Sequence, residues 1–133
     1  MNENLKNVLL TGLDSRIPVL RPALASALKP ARGWLRAVRS VLGLSQQDVA
    51  KKISTTRQSY AGLEAAEQRG AISLNSLQRA AEAMDCELVY FLVPREGVAR
   101  TYRELAQRYD PAFKHLQATE HSMALENQAV GES

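Results

Sequence analysis

The chain has 133 residues, a net charge of +3 and a single cysteine, Cys86. The length predicts one domain with short flanking segments, and the cysteine count excludes an internal disulfide and a thiolate zinc cluster. Hydrophobic residues at 45% and charged residues at 23% exclude a disordered or fibrous protein. No apolar run approaches the roughly 18 residues that cross a bilayer, and the start of the chain lacks the pattern of a secretory signal, so we expect a cytoplasmic protein.

Charge is distributed unevenly along the chain. Residues 1–60 contain ten basic and three acidic residues, a net +7, whereas residues 61–133 contain seven and eleven, a net −4. A basic first half suits a polyanion such as nucleic acid, and a mildly acidic second half suits a different partner, such as a protein.

The amino-terminal segment carries apolar residues at helical spacing, which predict an amphipathic helix over residues 3–13 whose stripe requires a partner. These residues are Leu5, Val8, Leu9 and Leu13. Three prolines follow, Pro18, Pro22 and Pro30. Proline lacks an amide hydrogen and disrupts helix interiors, so we expect an arm with at most a short helix over residues 22–28.

The central segment predicts a series of short helices. After Pro30, apolar and arginine residues occupy different faces of a helix that Gly43 ends in a left-handed conformation. Ser45 and Asp48 form a capping box at the start of the next helix. Thr56 caps a third helix over residues 57–63 or slightly beyond, and Ser73 caps a fourth. The second and third meet at a tight turn, as in a helix-turn-helix motif.

The run CELVYFLV, residues 86–93, is short and rich in branched and aromatic side chains, which favours a strand. A single strand must pair with the amino-terminal arm or with the same strand of a second chain, and we favour the second chain. A last helix is expected over residues 96–109, ended by Asp110 and Pro111. The predicted dimer contact comprises Leu88, Val89, Tyr90, Phe91 and Leu92.

The segment LSQQDVAKKISTTRQSYAGLE closely resembles the Cro and phage-repressor helix-turn-helix family, also called the XRE family. Ser54 stands where that family usually has glycine. Flanking sequence from about residue 15 to 110 resembles the bacterial group named mobile mystery protein A. The resemblance implies a partner with a Fic domain, as a toxin and antitoxin-like or regulator pair. The predicted fold is mostly α: a five-helix lambda-repressor-like domain with an amino-terminal arm, a strand and a carboxy-terminal helix.

In this family the second helix of the motif enters the major groove, so the resemblance implies that its early exposed residues contact bases. Arg57 has the planar fork that binds guanine, and Gln58 matches adenine. Gln46 matches the family position that holds a phosphate. Solvated polar faces are the alternative. The full set of expected DNA-binding residues is Gln46, Gln47, Thr56, Arg57, Gln58, Ser59, Ala61 and Arg36.

Enzymatic motifs do not appear in the sequence. There is no glycine-rich phosphate loop and no Gly-x-Ser-x-Gly, and His115 and His121 lack an acidic or thiolate cluster that would hold a metal. We expect no catalysis, no cofactor and no metal.

The sequence divides into four segments: a helix and proline-containing arm (1–30), a DNA-binding domain (31–85), a dimerisation element (86–109) and a tail (110–133). We expect a homodimer that binds an operator in double-stranded DNA and represses its own operon. We expect no association with a membrane. The alternative is an antitoxin-like module that sequesters a Fic-type partner, with DNA binding secondary.

Overall fold

A computed structural model describes residues 1–26 and 28–110, which contain seven helices. The helices are α1 (Glu3–Asp14), α2 (Ile17–Ser26), α3 (Trp34–Val41), α4 (Gln46–Lys52), α5 (Arg57–Gln68), α6 (Leu74–Ala83) and α7 (Tyr102–Tyr109). The described residues form two compact units. The central unit contains residues 28–90, and the flanking unit contains residues 1–26 and 91–110. No helix of the described residues is long and apolar enough to cross a membrane.

The central unit is built around a core that α3, α4, α5 and α6 share. Tyr60 of α5 and Val49 of α4 are its largest fully buried side chains. Ala50 is also fully buried, and its small side chain suits the tight packing of α4 on α5. Burying a side chain such as Val49 or Leu35 contributes about 1.5–3 kcal/mol, so this shared core fixes the angle between the two helices of the motif.

Local hydrogen bonds set the helix ends as the sequence predicts. Ser45 and Asp48 form a reciprocal capping box, with the Asp48 amide donating to the Ser45 hydroxyl at 3.0 Å and the Ser45 amide donating to the Asp48 carboxylate at 2.8 Å. Thr56 and Ser73 cap α5 and α6. Gly43 has a φ of 73° after α3, the left-handed conformation expected of it. α5 extends to Gln68, five residues beyond Leu63.

The start of α3 is capped by a distant carboxylate. Gly33 has no side chain to serve as a cap, and Glu67 of α5 accepts the Trp34 amide at 2.8 Å and the Leu35 amide at 3.0 Å. The Glu67 backbone carbonyl also accepts from the Lys29 ammonium at 2.6 Å. Glu67 is 4% exposed, so this carboxylate joins α3 to α5 inside the unit.

The flanking unit packs α1 against α7. Asp14 at the end of α1 accepts the Tyr102 amide at 2.7 Å, and Arg103 donates to Asn7 at 2.7 Å and to Thr11 at 3.1 Å. Leu10 is the buried residue of α1. The predicted stripe lies instead on the exposed face: Leu5, Val8, Leu9 and Leu13 are 37–68% exposed.

Three sequence predictions need correction in the helical regions. Five helices, including the one near the amino terminus, were expected in one domain, but the central unit contains four and α1 belongs to the flanking unit. α2 forms where a broken arm was expected, because Pro18 lies in its first turn, which needs no amide donor, and Pro22 removes one internal hydrogen bond without ending the helix. α7 begins at Tyr102, six residues later than predicted, since Gly97 adopts a φ of 87° and Thr101 caps the helix.

The predicted strand is the fourth correction. Residues 86–93 have no regular secondary structure, and no strand forms among the described residues. A strand requires a neighbour that exchanges backbone hydrogen bonds with it, and no described segment does so here. Of the predicted tail, residues 110–133, only Asp110 belongs to the described residues. His115 and His121 lie outside them.

Candidate nucleic-acid interface

The turn between α4 and α5 brings the two helices of the motif together. Ser54 has a φ of 55°, the left-handed conformation that glycine adopts without strain. The Thr55 amide donates to the Ala50 carbonyl at 2.9 Å, which closes the end of α4. Arg79 of α6 donates from Nη2 to the Ile53 carbonyl at 3.2 Å. Ser54 thus adopts a left-handed turn conformation, and the hydrogen bond from Arg79 joins α6 to the residue before it.

The first turn of α5 presents polar side chains to solvent. Arg57, Gln58 and Ser59 are exposed, while Tyr60 is fully buried. The side chains of Arg57 and Gln58 form no hydrogen bond with another described residue. Both planar groups therefore remain available for bidentate contacts, in which Arg57 donates twice to guanine and Gln58 donates to N7 and accepts from N6 of adenine.

Thr56 and Ser59 are coupled to each other. The Thr56 hydroxyl accepts the Ser59 amide at 3.0 Å and donates to the Ser59 hydroxyl at 3.0 Å. This leaves the Ser59 proton to donate to a phosphate or to a base acceptor. Thr56 therefore acts first as the helix cap, and Ser59 is the better placed of the two for a contact outside the protein.

Ala61 and Arg36 are less exposed than the first turn of α5. Each is half-buried. The Ala61 methyl group offers the apolar contact that a thymine methyl requires. Arg36 lies on α3, outside the two helices of the motif, so the structure does not bring it onto the same helix as the base-reading candidates.

Gln46 and Gln47 open α4. Gln47 is exposed, whereas Gln46 is half-buried and donates from Nε2 to Glu64 Oε1 at 3.2 Å. That bond uses one of the two Nε2 hydrogens. The Gln46 side chain is thus fixed in orientation, and its second hydrogen remains for a phosphate oxygen.

A buried charged cluster lies behind this surface. Arg39 donates to Glu64 from Nε at 2.6 Å and from Nη2 at 3.2 Å, and from Nη1 to the Leu44 carbonyl at 3.1 Å. Burial opposes ionisation of Glu64 most strongly, but hydrogen bonds with Arg39, Tyr60 and Gln46 and the charge of Arg39 together outweigh it, so the pKa of Glu64 is lowered. The hydrogen bond with Glu64 raises the pKa of Arg39. Burial beside Glu64 raises the pKa of Tyr60. The cluster stays charged at neutral pH and commits Arg39 to the core.

Sequence reasoning missed the supporting roles of Glu64, Glu67 and Arg79. Glu64 and Glu67 follow Tyr60 by four and seven residues, so all three share one face of α5. Two acids on the face that carries the buried Tyr60 were the available signal. Arg79 gave none, because its target is a backbone carbonyl.

The expected dimer contact lies in an exposed segment. Val89, Tyr90 and Leu92 are 77%, 69% and 85% exposed, and Leu88 and Phe91 are half-buried. Apolar side chains at this exposure are available to another chain.

Residues 35–91 match the model of a helix-turn-helix family. This range contains α4, α5 and α6 completely and α3 from its second residue, and it leaves α1, α2 and α7 outside. No curated protein and no solved structure matches the chain significantly.

Proposed function

We propose that the protein is a transcriptional regulator that reads a specific operator in double-stranded DNA, because residues 35–91 match the model of a helix-turn-helix family. The observation that carries the proposal is the first turn of α5. There the side chains of Arg57 and Gln58 are exposed and form no hydrogen bond with the described residues. The core and the Arg39–Glu64 pair hold their helix in place.

Base reading comes from the planar groups of α5. Arg57 binds guanine through O6 and N7, and Gln58 binds adenine through N6 and N7. Ser59 adds a donor, and Ala61 an apolar contact. Because each bidentate pair contributes about 1–3 kcal/mol of discrimination, these residues set which operator is bound.

Register on the duplex comes from phosphate contacts. Gln46 and Gln47 lie at the start of α4, and Gln46 is oriented by Glu64. Arg36 of α3 provides a further positive charge for a flanking phosphate. These contacts make the affinity depend steeply on salt, since each neutralised phosphate releases counterions.

We further propose that the regulator acts as a homodimer, because one recognition helix reads only a few base pairs and two-fold operators are matched by two-fold proteins. The contact lies in residues 86–109, centred on Leu88–Leu92. The exposure of Val89, Tyr90 and Leu92 supports this location.

The resemblance to mobile mystery protein A extends the proposal to its setting. We propose that the protein represses its own operon, which also encodes a Fic-domain partner. In the alternative, the protein chiefly binds that partner as an antitoxin does. The exposed apolar residues of α1, outside the helix-turn-helix match, favour some protein-binding role for the flanking unit.

Fluorescence anisotropy with the protein's own promoter fragment tests DNA reading, with a scrambled fragment of equal length as the reference. We expect specific binding that weakens steeply as salt rises. Replacing both Arg57→Ala and Gln58→Ala should weaken operator binding by at least about thirtyfold, because two bidentate contacts of about 1–3 kcal/mol each are lost.

Gln68→Ala is the matched control, because Gln68 is exposed at the opposite end of the same helix. It should leave operator binding unchanged. Equal and weak binding to both fragments would contradict the proposal and transfer the main role to the partner protein.

A further inference from the structure

An apolar groove opens between α3, α6 and the chain that follows α6. Its walls include Trp34, Val38, Leu77, Met84 and Leu88, and its volume is about 240 Å³. No residue of α4 or α5 lines it. The groove therefore uses elements of the central unit other than the two helices proposed to meet DNA.

A ridge adjoins this groove. Val89 lines the rim and is 77% exposed, and the next residue, Tyr90, is 69% exposed. Residues 87–90 form no backbone hydrogen bond with another described residue. Exposed apolar side chains on an unpaired backbone are suited to contact with another chain.

We propose that the groove of one copy receives the ridge of Val89 and Tyr90 from a second copy, in a two-fold dimer that leaves α4 and α5 uncovered. The inference deepens the proposed homodimer and rests on it. A two-fold interface requires a surface that is complementary to itself, and a groove with a protruding ridge at its own rim meets that requirement.

The opposite charges of two neighbouring segments also favour a second copy as the occupant of the groove. The segment that carries the ridge, residues 81–94, contains three acidic residues and no basic residue, namely Glu82, Asp85 and Glu87. The segment that forms the opposite wall, residues 28–41, contains no acidic residue. Its exposed basic residues are Lys29 and Arg32, whereas Arg39 is paired with Glu64 and Arg36 is assigned to a phosphate. In a two-fold pair each acidic segment approaches the basic wall of the other copy.

The size of the groove is consistent with this occupant. Sites for small molecules usually measure about 300–1,000 Å³, and this groove is smaller and open at the rim. The apolar surface also continues along α3, where Trp34 is 45% and Val41 is 87% exposed. A surface that extends beyond the cavity suits a protein segment better than a small ligand.

The groove contains two unique reporters, since Trp34 is the sole tryptophan and Cys86 the sole cysteine of the chain. Sedimentation velocity on the full chain, over a hundredfold range of concentration, gives the oligomeric state. We expect the Trp34 emission to shift to shorter wavelength, and the reaction of Cys86 with a thiol reagent to slow, over the concentrations at which dimers form.

Val89→Asp should give monomers at every concentration, with Trp34 emission at its solvent-exposed wavelength. Val19→Asp is the matched control, because Val19 is 73% exposed in the flanking unit, and it should dimerise normally. Circular dichroism checks that both variants keep the helical content of the parent.

A dimer whose Trp34 emission and Cys86 reactivity do not change with concentration overturns the inference, as does a dimer that survives Val89→Asp or is broken by Val19→Asp. Such a dimer leaves the proposed homodimer intact and moves its contact elsewhere. A chain that stays monomeric throughout overturns the inference and the homodimer together. Operator binding is measured separately by anisotropy, so DNA reading stands or fails on its own result.

Discussion

The Glu64 carboxylate of α5 accepts two hydrogen bonds from the Arg39 guanidinium of α3, at 2.6 Å and 3.2 Å. Their side chains are 4% and 15% exposed. The same carboxylate accepts from Gln46 at the start of α4. One buried acid therefore connects three helices of the central unit, including both helices of the DNA-binding motif.

Replacing Glu64→Gln leaves the Arg39 charge without its partner in the core. We expect the free energy of unfolding to fall by about 3 kcal/mol, because breaking a buried ion pair strands the remaining charge. Urea denaturation measures this loss. Glu96→Gln makes the same substitution at an exposed site and should change stability by less than about 0.5 kcal/mol. Equal losses in the two variants would show that the pair contributes little.

Acid should destabilise the protein through Glu64. Its pKa is lowered in the folded state from the ordinary value of 4.5, so its contribution is fully present above that value and is lost as pH falls through the folded pKa. Asp48 acts in the same direction, since its pKa is also lowered by hydrogen bonds with Ser45. Unfolding measured from pH 7 to pH 2 should therefore lose stability less steeply in Glu64→Gln than in the parent. Parallel curves would contradict the assignment to Glu64.

Gly33→Ala should destabilise the central unit. Gly33 has a φ of 93°, and an added Cβ would lie 2.6 Å from Glu67 Oε1, the atom that accepts the Leu35 amide. Backbone strain alone costs about 1–3 kcal/mol at such a position, and displacing Glu67 also removes the cap of α3. Thermal unfolding checks the loss.

Gly62→Ala is the opposite case in the same unit. Gly62 lies inside α5, and an added Cβ would meet nothing within 4 Å. Alanine favours a helix interior over glycine by about 0.8–1 kcal/mol, so this variant should be more stable than the parent. The two substitutions should change the free energy of unfolding in opposite directions. A change in the same direction for both would refute the account of Gly33.

Ser54→Gly should stabilise the turn of the motif. Ser54 has a φ of 55°, and a side chain in this left-handed region costs about 1 kcal/mol relative to glycine. We expect a gain of about 0.5–1 kcal/mol in urea denaturation, with operator affinity retained. Ser40→Gly, in helix α3, should instead lose a similar amount. A destabilised Ser54→Gly variant would show that the serine makes a compensating contact.

The parts of the fold that follow from local chemistry could be predicted from the sequence. Ser45, Asp48 and Thr56 cap helices with atoms three residues away, and Gly43 supplies a conformation that its own backbone allows. Such features depend on residues that are close in the sequence. For this reason the turn and both helices of the motif were correctly predicted.

Features that depend on remote neighbours could not be predicted. Glu64 and Glu67 are buried because Arg39 and the amides at the start of α3 lie opposite them, 25 to 33 residues away. The apolar stripe of α1 correctly predicted a helix but wrongly indicated which of its faces is buried. The buried face is the one that packs against α7, and α7 is remote in the sequence. A strand over residues 86–93 would require a second segment to pair with, and the side-chain pattern of these residues does not identify such a segment.

The flanking unit is discontinuous in sequence, and this determines the order in which the protein is completed during synthesis. Asp14 and Tyr102, which join α1 to α7, are 88 residues apart. A ribosome that has released α1 must still translate all of residues 28–90 before α7 exists. Those residues contain every helix of the DNA-binding unit. The nascent chain therefore holds all the contacts of its DNA-binding unit while α1, although made first, still waits for its partner helix.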